Sequence, residues 1–160
     1  VPNEESIKNP RQQQVSPLDK LLLLRLGSLK LAVDSDQVLA TCEWLVPTPL
    51  PFAPEPVKGI ISIDGRMFTV LEIGQLFGEV PSGARKAIVV FRGDEQLALA
   101  IDSAETEVEV SGNDISNAPE GVARTIRGVW HHNGEQIQVL QINELFSSAI
   151  QGRERRRRRL

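Results

Sequence analysis

Lys58-Gly59-Ile60-Ile61-Ser62-Ile63-Asp64-Gly65-Arg66-Met67-Phe68-Thr69-Val70-Leu71-Glu72-Ile73-Gly74-Gln75-Leu76-Phe77 is answered, 69 residues further on, by Arg127-Gly128-Val129-Trp130-His131-His132-Asn133-Gly134-Glu135-Gln136-Ile137-Gln138-Val139-Leu140-Gln141-Ile142-Asn143-Glu144-Leu145-Phe146. The two segments align without a gap and share seven of twenty positions: Gly59/Gly128, Gly65/Gly134, Val70/Val139, Leu71/Leu140, Ile73/Ile142, Leu76/Leu145 and Phe77/Phe146. Unrelated segments share about one at ordinary residue frequencies, so the chain reads as an internal duplication. Within each copy, Asp64-Gly65 and Asn133-Gly134 are the dipeptides that most readily take positive φ at both centres of a tight turn. Each copy is therefore a β-hairpin. Its second strand feeds a short amphipathic helix, predicted over 72–77 and 142–150.

The same grammar extends to either side. An apolar run at 21–26 is followed by the turn pair Gly27-Ser28 and an alternating stretch at 29–33, and 87–91, Gly93-Asp94-Glu95 and 97–101 repeat that arrangement. Both second strands end in an aspartate, Asp34 and Asp102. Segments 38–46 and 105–110 also have strand character. Pro47, Pro49, Pro51, Pro54 and Pro56 make the stretch between Val46 and Lys58 a stiff, extended connection. About five short strands in a half of roughly 65 residues suit a small closed barrel, because closure removes the exposed edges. The expected fold is mainly β: two pseudo-symmetric, five-stranded barrels packed together, with short helices.

Composition excludes more than it assigns. The 160 residues carry 18 Lys and Arg against 21 Asp and Glu, a net charge of −3, with 41% hydrophobic residues. That is ordinary for a globular domain. No run of about 18 apolar residues marks a membrane-spanning helix, and the polar segment 1–17 lacks the apolar stretch of a signal peptide, so a cytoplasmic protein with a disordered N-terminal tail is expected. Residues 153–159 hold six Arg and one Glu, a local +5 that leaves −8 for the rest. The reading is an acidic body, 18–150, with a basic disordered tail, 151–160. A polyanion would meet only that tail.

Catalytic constellations are missing. There is no Gly-rich phosphate loop, no G-x-S-x-G, no H-E-x-x-H and no Tyr. The two histidines, His131 and His132, are strand neighbours pointing to opposite faces and cannot jointly chelate one metal. Glu105, Glu107 and Glu109 lie on one strand face and read as a solvated surface. Cys42, the single cysteine, reads as packing. Neither an enzymatic activity nor a cofactor nor a metal is expected.

Residues 57–73 resemble the core motif of the CheW-like domain, the adaptor of bacterial chemotaxis-type signalling: an apolar-Lys-Gly start, Asn-x-Arg-Gly, and an apolar-Pro-apolar-apolar-Asp-Leu end. Ala98-Leu99-Ala100-Ile101-Asp102 is similar to the family's Gly-x-x-Val-Asp strand end, and Ile126-Arg127-Gly128 with 139–146 gives a third match. The resemblance covers 18–150. It implies two five-stranded barrels, no catalysis, no small-molecule substrate, and a scaffold linking the regulatory domain of a CheA-type histidine kinase to a chemoreceptor's cytoplasmic tip, in the cytoplasm at membrane-bound arrays. Carried over by position, the partner contacts are Val38, Ala40, Ile63, Asp64, Val70 and Glu72, while Gly59, Gly65, Gly128 and Gly134 are structural, at tight turns or close strand packing. Departures stand beside the matches. Asp64 occupies the place of the motif's Arg, Ala40 that of a usual acid, Thr69 that of the Pro, and Glu72 and Gln141 that of Asp. An inverted charge at a contact penalises the usual partner, so the receptor contact is in doubt. The alternative reading is a small-barrel module that binds nucleic acid or an anionic membrane through the Arg-rich tail. Against it, Trp44 and Trp130 lack the basic neighbours that base stacking requires.

Overall fold

The computed structural model describes residues 18–79, 83–118 and 124–145; segment 1–17, the predicted helical residues 146–150 and the basic segment 151–160 lie outside the described residues. Among the described residues eleven strands are formed: β1 Leu18–Leu26, β2 Leu29–Asp34, β3 Val38–Glu43, β4 Val57–Ile63, β5 Arg66–Leu71, β6 Ala87–Phe91, β7 Leu97–Ile101, β8 Ser103–Ser111, β9 Ile115–Asn117, β10 Ile126–His132 and β11 Glu135–Leu140. The repeat is copied in three dimensions. β4 and β10, and likewise β5 and β11, occupy equivalent positions at the 69-residue offset. Both hairpins turn through positive φ, 51° and 79° at Asp64-Gly65 and 52° and 78° at Asn133-Gly134.

The strands make two sheets, β8-β1-β2-β11-β10-β9 and β3-β6-β7-β5-β4. Neither sheet belongs to one half of the sequence. The β1–β2 hairpin inserts between β8, to which it is antiparallel, and β11, to which it is parallel. Conversely, the β6–β7 hairpin lies antiparallel to β3 and parallel to β5. The expectation that each half builds its own barrel is thereby corrected: the duplicated units have exchanged hairpins. The cause is that these hairpins are apolar on both faces and must be covered on both. Leu21, Leu23 and Ala32 face the core inside the six-stranded sheet, whereas Leu24, Leu26, Leu31 and Val33 face a second core shared with Val89, Phe91, Leu97, Leu99 and Ile101. Only a central place in a sheet, between two cores, buries both sets.

Three cores result, one between the sheets and one within each. The inner cores use the same cross-strand position with the residue types exchanged, Ile61 opposite Phe68 in one and Trp130 opposite Ile137 in the other. One aromatic and one aliphatic residue thus face each other in each.

Each sheet wraps toward closure without a complete ring of strands. In the five-stranded sheet the chain leaving β3 crosses to β4, where Thr48 and Ile60 exchange both backbone hydrogen bonds, 2.8 and 2.9 Å. The proline-rich connection is thus anchored near its start rather than merely extended. In the other sheet this crossing is regular enough to be a strand of its own, β9, paired with β10, which is why that sheet has six strands rather than the expected five. The crossing also explains the glycine that opens each repeat. A Cβ on Gly59 would collide with the Thr48 carbonyl, and one on Gly128 would stand 2.5 Å from the Ser116 carbonyl oxygen and 2.7 Å from Ile115 Cγ2. Both glycines lie at a register shift in their hairpin ladder. The first expected amphipathic helix is only a 3₁₀ turn, Gly74–Phe77, with Glu72 and Ile73 outside it; of the second, expected over 142–150, the described part is the 3₁₀ turn Ile142–Glu144 followed by helical Leu145, and 146–150 lie outside the described residues.

Candidate partner interface

The six carried-over contact positions do not share one surface. Val38 opens edge strand β3 and is half-buried against the inter-sheet core, while Ala40 beside it is exposed. Ile63 ends the opposite edge strand, β4, packed in part on the inner core, and Asp64 is exposed on the turn after it. These four are accessible. Val70 is 0% exposed and points into the inner core, so it offers a partner nothing. Glu72 is likewise buried, 8% exposed, and its carboxylate is already engaged.

Its partner is Arg85, a residue with no motif to mark it in the sequence. Arg85 donates from Nε to Glu72 Oε1 at 2.7 Å and from Nη2 to Glu72 Oε2 at 3.0 Å, a bidentate pair. Nη2 also reaches Glu79 Oε1 at 2.9 Å, and Nη1 reaches Asp102 Oδ2 at 3.2 Å. The carboxylates then secure backbone: Asp102 Oδ2 accepts from the Gly27 N–H at 2.5 Å and Glu72 Oε2 from the Gly74 N–H at 3.0 Å. One guanidinium, its side chain 6% exposed, therefore ties the end of β5, the 3₁₀ turn after it and the end of β7 to the β1–β2 turn of the other sheet. The hydrogen bonds that Arg85 donates to Glu72 and Glu79 hold it charged well above its ordinary pKa despite burial. The matching strand-end aspartate, Asp34, pairs with Arg127 at 3.1 Å across the exchanged hairpin; burial raises its carboxyl pKa while Arg127 pulls it back. The paired aspartates were visible in the sequence, and Arg127 stands in the repeat opposite Lys58, but Arg85 lies outside the aligned segments and nothing marked it.

The remaining candidates behave as surface or core. His132 stacks on Trp130, ring centroids 4.5 Å apart, and His131 is exposed on the other face, the opposition expected of strand neighbours. Glu105, Glu107 and Glu109 are all exposed, with Glu105 paired to Arg25 at 3.3 Å. Among the described residues no group of three His, Cys, Asp or Glu could hold a metal ion, and no helix is long and apolar enough to cross a membrane. Cys42 packs against the inner core of its sheet, and burial pushes its thiol pKa up. Less thiolate at neutral pH means slower chemistry. A disulfide reagent is expected to label native Cys42 at least about tenfold more slowly than the unfolded chain; equal rates would show that the thiol is not packed. Large apolar side chains are exposed along the proline-rich connection, most of all Val46 at 83% and Phe52 at 88%.

Two interlocked β-sheets around three apolar cores, with accessible positions on and beside the edge strands β3 and β4, make up the described structure. The family model described as CheW-like domain matches residues 20–149, and the chain belongs to that family. Chemotaxis protein CheW of Rhizobium meliloti (strain 1021) is 24% identical over 136 residues, covering 81% of this chain and 88% of that protein. Protein FrzA of Myxococcus xanthus is 27% identical over 146 residues, covering 86% and 91%. The crystal structure of scaffolding protein TtCheW from Thermoanaerobacter tengcongensis superposes with a TM-score of 0.71 at 19% identity, covering 78% of this chain and 90% of that one, and establishes the shared fold. Like its family, the chain is not an enzyme.

Proposed function

We propose that the chain is an adaptor of chemotaxis-type signalling in the cytoplasm, coupling the regulatory domain of a CheA-type histidine kinase to chemoreceptor tips at membrane-bound arrays. The observation that carries this reading is the family match across 20–149, supported by relatives named as chemotaxis proteins and by the fold of a scaffolding CheW. Contacts are assigned to the accessible positions Val38, Ala40, Ile63 and Asp64, on and beside the two edge strands of the five-stranded sheet. Edge strands with apolar side chains at their rims suit a partner that adds a packed strand or helix face.

Asp64 sets the specificity within this reading. An exposed anion where the family motif carries a cation rejects a receptor surface built for the cation. Isothermal titration with the regulatory domain of the kinase encoded nearest to it is expected to give micromolar or tighter binding, unchanged within about twofold by Asp64→Arg. The same substitution should alter affinity for the cognate receptor tip by about tenfold or more. Absence of binding to both partners would sink the adaptor reading. Kinase binding that collapses on Asp64→Arg would move the turn into the kinase contact.

A further inference from the structure

The connection between β3 and β4 is pinned along its length, yet it displays the most exposed large apolar side chain among the described residues, Phe52 at 88%. Thr48 and Ile60 exchange two backbone hydrogen bonds, the Ala53 N–H donates to the Leu50 carbonyl at 3.4 Å, the Val57 N–H to that of Pro54 at 2.9 Å and the Glu72 N–H to that of Pro56 at 2.7 Å. Pro51 cannot take a positive φ, and Phe52 follows it at φ 61°. Leu50-Pro51-Phe52-Ala53 is therefore a type II turn with phenylalanine where glycine or asparagine is the ordinary choice. A bulky residue is strained there, and a ring so exposed recovers little from burial. The fold does not require either cost. At the matching crossing, β9 approaches Gly128 through Ser116 as Thr48 approaches Gly59, and the exposed residues around it, Asn113, Asp114, Ser116 and Asn117, are polar.

We propose that Phe52, with Leu50 beside it in the turn, is the anchor of the kinase-side interface and enters an apolar, ring-sized pocket on the regulatory domain of the histidine kinase. This rests on the adaptor reading and divides its two partners between two surfaces. Pro54 and Pro56 bond to the start of β4 and to the residue after β5, the end of that hairpin away from the Asp64-Gly65 turn. β4, seven residues long, separates the two ends by roughly 20 Å at about 3.3 Å per residue. A partner seated on Asp64, where the departure from the family motif bears on the receptor, leaves Phe52 open to the other. The chemistry of the turn selects a protein. Leu50, Pro51, Phe52 and Ala53 carry no charge, and the chain outside 153–159 is acidic, so an anionic bilayer repels it. A ring held in place before binding loses little conformational freedom on docking, and fully desolvated aromatics of this kind dominate interface energies.

Isothermal titration of the wild-type chain, Phe52→Gly and Phe52→Ser with the kinase regulatory domain and with the receptor tip, beside urea unfolding of each chain alone, tests it. Glycine relieves the left-handed position, so the denaturant midpoint of Phe52→Gly is expected to equal or exceed that of the wild type. Affinity for the kinase domain should nevertheless fall about tenfold or more in both variants, with receptor affinity held within about twofold. A lower midpoint for Phe52→Gly would show that the ring serves the chain's own packing and overturns the proposal without any partner. Wild-type binding to the kinase domain that both variants retain overturns it while leaving the adaptor reading intact. Loss confined to the receptor tip gives the anchor to the receptor and overturns the kinase assignment. Phe52-dependent binding to vesicles of phosphatidylcholine and phosphatidylglycerol, or Phe52-dependent self-association in sedimentation velocity, gives the ring to lipid or to a second copy and overturns it likewise. A wild-type chain that binds neither partner sinks the adaptor reading and the kinase assignment with it.

Discussion

Arg85→Met is expected to destabilise the fold by about 3–5 kcal/mol at neutral pH, read as the shift of the denaturant midpoint. The methionine fills much of the volume but leaves Glu72 and Glu79, whose side chains are 9% and 8% exposed, without their shared cation. Uncompensated buried carboxylates, not a lost attraction, set that cost. The triple variant Arg85→Met, Glu72→Gln, Glu79→Gln should recover part of the loss at neutral pH, because it removes the stranded charge.

Gly128→Val is expected to cost about 3 kcal/mol or more, enough to lower the melting temperature by roughly 10 °C. Its first added atom falls 2.5 Å from a backbone carbonyl oxygen of β9. Backbone on backbone cannot relax by a rotamer change, so β9 must separate from β10 and open the inner core holding Trp130. Gly134→Ala supplies the contrast. Nothing lies within 4 Å of its Cβ, and its strain is confined to a φ of 78°, so it should lose only about 1 kcal/mol. Similar losses for both would refute the argument that the repeat's opening glycine serves the strand crossing. Loss of the Trp130 emission shift at the lower midpoint of Gly128→Val would locate the damage in that core.

These two residues mark the boundary of what the chain discloses locally. The 69-residue repeat, both tight turns and most strands were legible, because period-two alternation and Asn-Gly or Asp-Gly pairs are local signals. The opposed faces of His131 and His132 came from the same period. Gly128 was legible as a structural glycine, yet its obstacle, Ser116, comes from a three-residue strand too short to read. Val70 and Glu72 were placed among the contacts because a motif position carries no information on burial. Arg85 was invisible: a cation ahead of an apolar strand looks like any surface residue until the fold brings Glu72, Glu79 and Asp102 together around it.

By itself the sequence determined the class of structure, its duplication, its hairpins and its kinship, since each is written in spacings along the chain. Tertiary structure alone decided that the halves exchange their two-faced hairpins. Apolar residues on both faces demand two covers, and a local pattern can state that demand without naming which distant strands meet it. The same limit applies to charge. Acids at fixed intervals can be counted, but which of them share a buried guanidinium depends on where the exchanged strands end.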